Sequence, residues 1–167
     1  MAVFGIRRRP LSFKLGGIMT DDIYDKQHDD PIFEALKQDD PELQECTKKA
    51  KETFHIFLDL YEQYHKDYSI YFAIKVPIVN DDETIHLWYS FQGTENGLLK
   101  GEHFQLPKGF EGLKKIKVHP DIIDDWMIND HEILYGGFSL RYQRSLLTEE
   151  RRPKYDEYMG VSEYRDI

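Results

Sequence analysis

The chain has 167 residues, of which 14% are aromatic. That length suits one domain burying roughly two-thirds of the surface its unfolded form exposes, and the aromatic content supplies a core without covalent staples. A formal net charge of −9 disfavours general binding to nucleic-acid backbones, which relies on Lys and Arg neutralising phosphates. The single cysteine, Cys46, excludes an intrachain disulfide and a Cys cluster for zinc or iron–sulfur, so the cytoplasm is the expected compartment. No apolar run approaches the roughly 20 residues of a membrane span.

The front of the chain is polarised. Met1 to Ile18 carries +4 from Arg7, Arg8, Arg9 and Lys14, whereas Met19 to Glu45 carries −8 from ten acids and two lysines. Arg7 to Arg9 interrupt the apolar run Ala2 to Ile6, which argues against a secretory signal. Residues 1–38 are expected to form an acidic extension with a short helix, its basic first eighteen residues weakly ordered. Translation from Met1 and from Met19 both remain open. Asp29-Asp30-Pro31 and Asp39-Asp40-Pro41 each offer an acidic N-cap followed by proline, so a helix is expected at each.

From Pro41, the residues Leu43, Cys46, Ala50, Phe54, Phe57, Leu58, Tyr61 and Tyr64 recur at three- and four-residue intervals. The pattern predicts one long amphipathic helix ending near His65, with its stripe against a sheet and Cys46 as a small core residue rather than a nucleophile. The period then changes to two. Ser69–Val76 and Ile85–Gln92 are predicted strands separated by a turn region at Pro77 and Asn80-Asp81-Asp82. In the second strand Ile85, Leu87, Tyr89 and Phe91 share the core face. His86, Trp88, Ser90 and Gln92 share the other, which is either half-covered or part of a binding surface.

Glu95-Asn96-Gly97 predicts a hairpin turn into Leu98–Leu106, with Gly101 as a bulge or bend. Lys114–Val118 reads as a strand and Pro120–Met127 as a helical turn or loop. Ile133–Tyr135 and Gly137–Arg144 read as a strand pair. Near the end, Thr148 offers an N-cap, and Pro153 either kinks that helix or opens a second, shorter one ending at Gly160. The expected fold is α+β: a strongly curved, mainly antiparallel sheet packed by the long N-terminal helix, with a short C-terminal helix. No Gly-rich phosphate loop opens a helix.

Four segments, Phe72-Ala73-Ile74-Lys75, His86-Leu87-Trp88, Asp125-Trp126-Met127-Ile128 and Gly136-Gly137-Phe138-Ser139-Leu140-Arg141, together resemble the YegJ-like bacterial family, a domain of unknown function. The resemblance covers residues 39–160, leaving 161–167 as a tail. It implies a compact α+β module and assigns no catalytic residue. The acidic front and the Lys-rich Lys108 to Lys117 segment depart from the family pattern.

The candidate binding surface comprises His86, Trp88, Asp124, Asp125, Trp126 and Arg141. His86 offers proton transfer, Asp124 or Asp125 orients it, and Arg141 suits a carboxylate or phosphate. Structural roles compete at three of these positions: Asp125 as a cap of a helical turn, Trp126 as core filler, and His86 bound to a backbone carbonyl. The histidines His86, His103, His119 and His131 lack clustered spacing, so neither a metal nor a cofactor is expected. Lys100 to His119 carries +3 and contains Phe104 and Phe110, but the following run Pro120 to Leu134 carries −5, so nucleic acid is disfavoured. The leading expectation is a non-catalytic, immunity-like interaction domain whose acidic surface meets a basic protein. The alternative is a small-molecule-binding or hydrolytic domain using the His/Trp/Asp/Arg surface.

Overall fold

The computed structural model describes residues 39–80, 83–103, 106 and 109–167. The expected helix at Pro31 and the basic extension lie outside them. α1 (Pro41–Tyr64) follows the apolar spacing: Asp40 caps it by accepting from the Glu42 amide at 2.9 Å, and Leu43, Ala50, Phe54 and Phe57 are buried. The second oxygen of Asp40 accepts from the Tyr142 hydroxyl at 2.7 Å, which fixes the start of α1 to a distant helix. Cys46 is only half-buried; its thiol donates to the Phe138 carbonyl, and burial pushes it up to about 11, so it stays protonated and unreactive.

Among the described residues the strands are β1 (Ile70–Asn80), β2 (Glu83–Glu95), β3 (Leu98–Glu102), β4 (Lys115–Val118), β5 (Asp125–Asp130), β6 (Ile133–Gly136) and β7 (Glu163–Tyr164). They form one sheet in the order β4-β3-β2-β1-β5-β6-β7, antiparallel except for the parallel β6–β7 pair. The fold is therefore α+β with a mainly antiparallel sheet. Asn96 and Gly97 both take positive φ, 52° and 78°, as the predicted hairpin turn requires.

Three local expectations change. Pro77 lies inside β1, paired with His86, rather than in a turn. It is tolerated because β5 pairs with β1 only as far as Lys75, so no neighbour on that side needs its missing N–H. The register shift lies in β2 between Phe91 and Thr94, where Gly93 has φ 91°, while Gly101 stays in register. Gly101 is there for space: a Cβ would stand 2.8 Å from that of Tyr89. Finally, Met127 belongs to the internal strand β5, and the predicted strand Gly137–Arg144 is the helix α2 (Phe138–Ser145).

α3 (Arg152–Met159) begins with Pro153 in its first turn and ends on Gly160 at φ 66°, the second of the two C-terminal options. The segment 161–167, set aside as a tail by sequence, carries β7. Both faces of the sheet are packed. α1 covers Phe72, Ile74, Leu87, Tyr89, Phe91 and Trp126, while α2 and α3 bring Leu140, Tyr155 and Met159 onto Ala73, Trp88, Met127 and Leu134. This second cluster contains no residue of β3 or β4. There Lys115 and Lys117 stand exposed, and among the described residues neither α2 nor α3 packs on that half of the face.

Candidate functional site

Asp124 and Asp125 lie where β5 begins, and their side chains have opposite fates. Asp125 is 0% exposed and accepts four hydrogen bonds. The Trp126 amide at 2.8 Å and the Phe138 amide at 3.2 Å meet one oxygen; the Ser139 amide at 2.8 Å and hydroxyl at 2.6 Å meet the other. Asp125 thereby satisfies the first amides of α2, whose own N-cap residue Gly137 has no side chain to do so. Burial pushes its carboxyl up to about 6, while the Ser139 hydrogen bonds and the nearby Lys75 charge pull it down.

Trp126 completes this arrangement. Its indole N–H donates to the Ala50 carbonyl and the Thr53 hydroxyl, both at 3.1 Å, fastening β5 to α1. Its carbonyl accepts from the Gly137 amide at 2.7 Å. A Cβ on Gly136 would stand 2.5 Å from that carbonyl oxygen and 2.6 Å from the indole ring, and Gly136 has φ 67°. The Asp125-Trp126 and Gly136-Gly137-Phe138-Ser139 segments are thus two halves of one lock joining strand to helix.

Arg141, expected to meet an anion, is also committed to the fold. It donates to the carbonyls of Gly136 at 2.8 Å, Leu134 at 3.0 Å and Arg165 at 2.6 Å, and it pairs with Asp166 at 3.4 Å. These bonds tie the C-terminal segment beside β6. Trp88, expected on a half-covered face, is fully buried.

The predicted His–Asp pair does form, with Asp124 as its acid. His86 Nδ1 lies 2.6 Å from Asp124 Oδ2, with side chains 17% and 22% exposed. The Asp124 amide donates to the Lys75 carbonyl at 2.8 Å, which fixes the carboxylate against the imidazole. Arg141 and Trp126 are held in the lock and do not join this pair.

Lys75 was missed as a site residue. It is 5% exposed, directly opposite Trp88 on one side and Asp125 on the other. Burial lowers its pKa, against the raising effect of Asp125 and Asp124. The available signal was its parity: a lysine that alternates with Phe72, Ile74 and Val76 on a strand packed on both faces must enter the second core.

The other candidates disperse. His119 and His131 pair with their neighbours Asp121 and Asp130. His103 is buried, and desolvation lowers it to about 4. Among the described residues no group of three or more His, Cys, Asp and Glu side chains is arranged so that it could hold a metal ion, and no helix is long and apolar enough to cross a membrane. Lys100, Lys115 and Lys117 line a shallow groove with Gln92 and Glu102 on the β3–β4 half-sheet. Lys117 is ion-paired with Glu95, Phe110 is buried in the core instead of presenting a stacking surface, and Phe104 lies outside the described residues.

Comparison with known proteins gives two relatives. A Neisseria meningitidis protein named as an ankyrin repeat protein is 29% identical over 143 residues, covering 79% of this chain and 56% of that protein. The chain thus spans little more than half of that relative. The Uncharacterized protein YegJ of Escherichia coli is 27% identical over 121 residues, covering 70% of this chain and 67% of its own length. No solved structure matches significantly. The family model described as "Uncharacterized protein conserved in bacteria (DUF2314)" matches residues 40–162, from the N-cap of α1 to the residue before β7, and the chain belongs to that family.

Proposed function

We propose that this domain works by binding a protein rather than by catalysis, through acidic residues that engage a basic partner as an immunity protein engages a basic toxin. The supporting observation is the division of labour among its charged groups. Asp125 and Arg141 are spent on the fold, whereas Asp121, Asp124, Asp130 and Glu132 reach solvent. The relative named for ankyrin repeats adds to this reading, since such arrays present extended binding surfaces.

The acids do not form one continuous patch. Asp121 and Asp124 precede the six-residue β5 and Asp130 and Glu132 follow its core, about 20 Å apart at a rise of roughly 3.3 Å per residue. A basic partner must therefore use one end or span both. The test is recovery of the tagged protein from its native cells at low salt, beside an Asp121→Asn/Asp124→Asn variant and an Asp130→Asn/Glu132→Gln variant. A stoichiometric protein that is lost from one variant, and released by salt, supports the proposal. Recovery of the chain alone, or of the same material with all three proteins, overturns it.

A further inference from the structure

The β3–β4 half of the face that carries α2 and α3 gathers positive charge. The register sets Glu102 opposite Lys115 and Lys100 opposite Lys117, so these four side chains rise from one face. With Gln92 of β2 they line a groove of about 450 Å³, whose lining holds three lysines against one carboxylate. Lys117 is ion-paired with Glu95, and Lys115 is exposed. Two lysines directly opposed across a strand pair repel each other, and carboxylates set along them remove that repulsion.

The chain carries a matching counter-charge of its own. Residues 19–38, which lie outside the described residues, hold six acids, Asp21, Asp22, Asp25, Asp29, Asp30 and Glu34, against Lys26 and Lys37. Their point of entry is fixed. Asp40 accepts from the Tyr142 hydroxyl and the Cys46 thiol donates to the Phe138 carbonyl, so the chain enters α1 beside α2, which packs on the other half of this same face. Asp125 anchors α2 at β5, and from there β3 and β4 are three and four strands away, about 15–20 Å at roughly 4.8 Å each. The 20 residues of 19–38 reach about 30 Å even at the helical rise of roughly 1.5 Å each.

Charge also favours this segment over a separate acidic molecule. The +4 of residues 1–18 offsets the excess of four acids in 19–38, so residues 39–167 carry the whole −9. A free polyanion approaches against that field, whereas a tethered segment is already held near the lysines at a high effective concentration.

We infer that the acids of residues 19–38 dock within the same chain on Lys100, Lys115 and Lys117, covering the β3–β4 half of the sheet. The acidic-surface proposal uses other side chains, so either reading can fail without the other.

The test treats the full chain with a carbodiimide. This reagent joins a lysine amine to a carboxylate in contact with it as an amide, and itself takes up the water released. Joined peptides are mapped by mass spectrometry, and an equal mixture of ¹⁴N- and ¹⁵N-labelled protein separates links within a chain from links between chains. The expected links run from Lys100, Lys115 or Lys117 to acids between Asp21 and Glu34 within single chains, and their yield should fall about fivefold or more at high salt. A link between Lys117 and Glu95 marks access of the reagent to the groove. Groove lysines linked only to Glu95 and Glu102 overturn the inference. Links to 19–38 found only between differently labelled chains overturn docking within the chain and make a second copy the occupant. A second measurement changes Asp21, Asp22, Asp25, Asp29 and Asp30 to Asn, all outside the described fold. The amide resonances of β3 and β4 in a ¹H–¹⁵N spectrum should then shift while those of β7, at the far edge of the sheet, stay in place. Unmoved β3 and β4 resonances overturn the inference.

Discussion

Asp124 meets an imidazole at a rim open to solvent, whereas Asp125, one residue on, is sealed in the core with four donors around it. The contrast separates two kinds of information in one short motif. The Asp125-Trp126 half belongs to a lock that joins β5 to α1 and α2, and the Asp124 half belongs to the surface. Neutralising both aspartates together would thus confuse loss of fold with loss of surface charge.

The largest effects should come from breaking the lock. Trp126→Ala removes a fully buried ring and the two hydrogen bonds it makes to α1, and should cost about 3–5 kcal/mol in equilibrium urea unfolding. Gly136→Ala forces a Cβ against the Trp126 carbonyl and ring at positive φ, and should cost on the order of 1–3 kcal/mol by the same measurement. Arg141→Ala releases three backbone carbonyls; a loss of about 1–3 kcal/mol is expected, with faster amide exchange at Arg165, whose N–H bonds the Leu134 carbonyl. At the rim, His86→Ala should change stability by about 1 kcal/mol or less, because both partners keep access to water.

The two aspartates also differ in titration. Followed by carboxyl ¹³C shifts, Asp125 should titrate near 6, raised chiefly by burial. Since the folded chain then holds this proton more tightly than the unfolded chain, the group's contribution to stability is full below about 3.8 and is lost as the pH rises through about 6. A midpoint below 3.8 would mean that the four donors and Lys75 outweigh desolvation.

Much of the fold was legible where local pattern sufficed. The spacing from Leu43 to Tyr64 gave α1, the alternation from Ile85 to Phe91 gave the core face of β2, and Asn96-Gly97 gave the hairpin. Failures came where distant partners decide. Phe138, Leu140 and Tyr142 alternate like a strand, yet α2 forms because Asp125 caps amides 13 and 14 residues away. Pro77 looks like a break, yet it is allowed because β5 begins only at Asp125, opposite Lys75. At the candidate site, the sequence offered Asp124 or Asp125 as the partner of His86. It could not tell which aspartate faced the core, nor that Arg141 would be consumed by backbone carbonyls, since both follow from the helical course of 138–145.

The most direct test of the account is equilibrium urea unfolding of Asp124→Asn beside Asp125→Asn, two single changes of equal charge and shape. Asp125→Asn puts an amide NH₂ among four donors and strips Lys75 of its buried counter-charge, so the account predicts a loss of about 3–5 kcal/mol or failure to fold. Asp124→Asn should lose about 1 kcal/mol or less and leave a native fold available for partner-binding assays. Equal losses from the two, or a stable Asp125→Asn, would contradict the division between lock and surface.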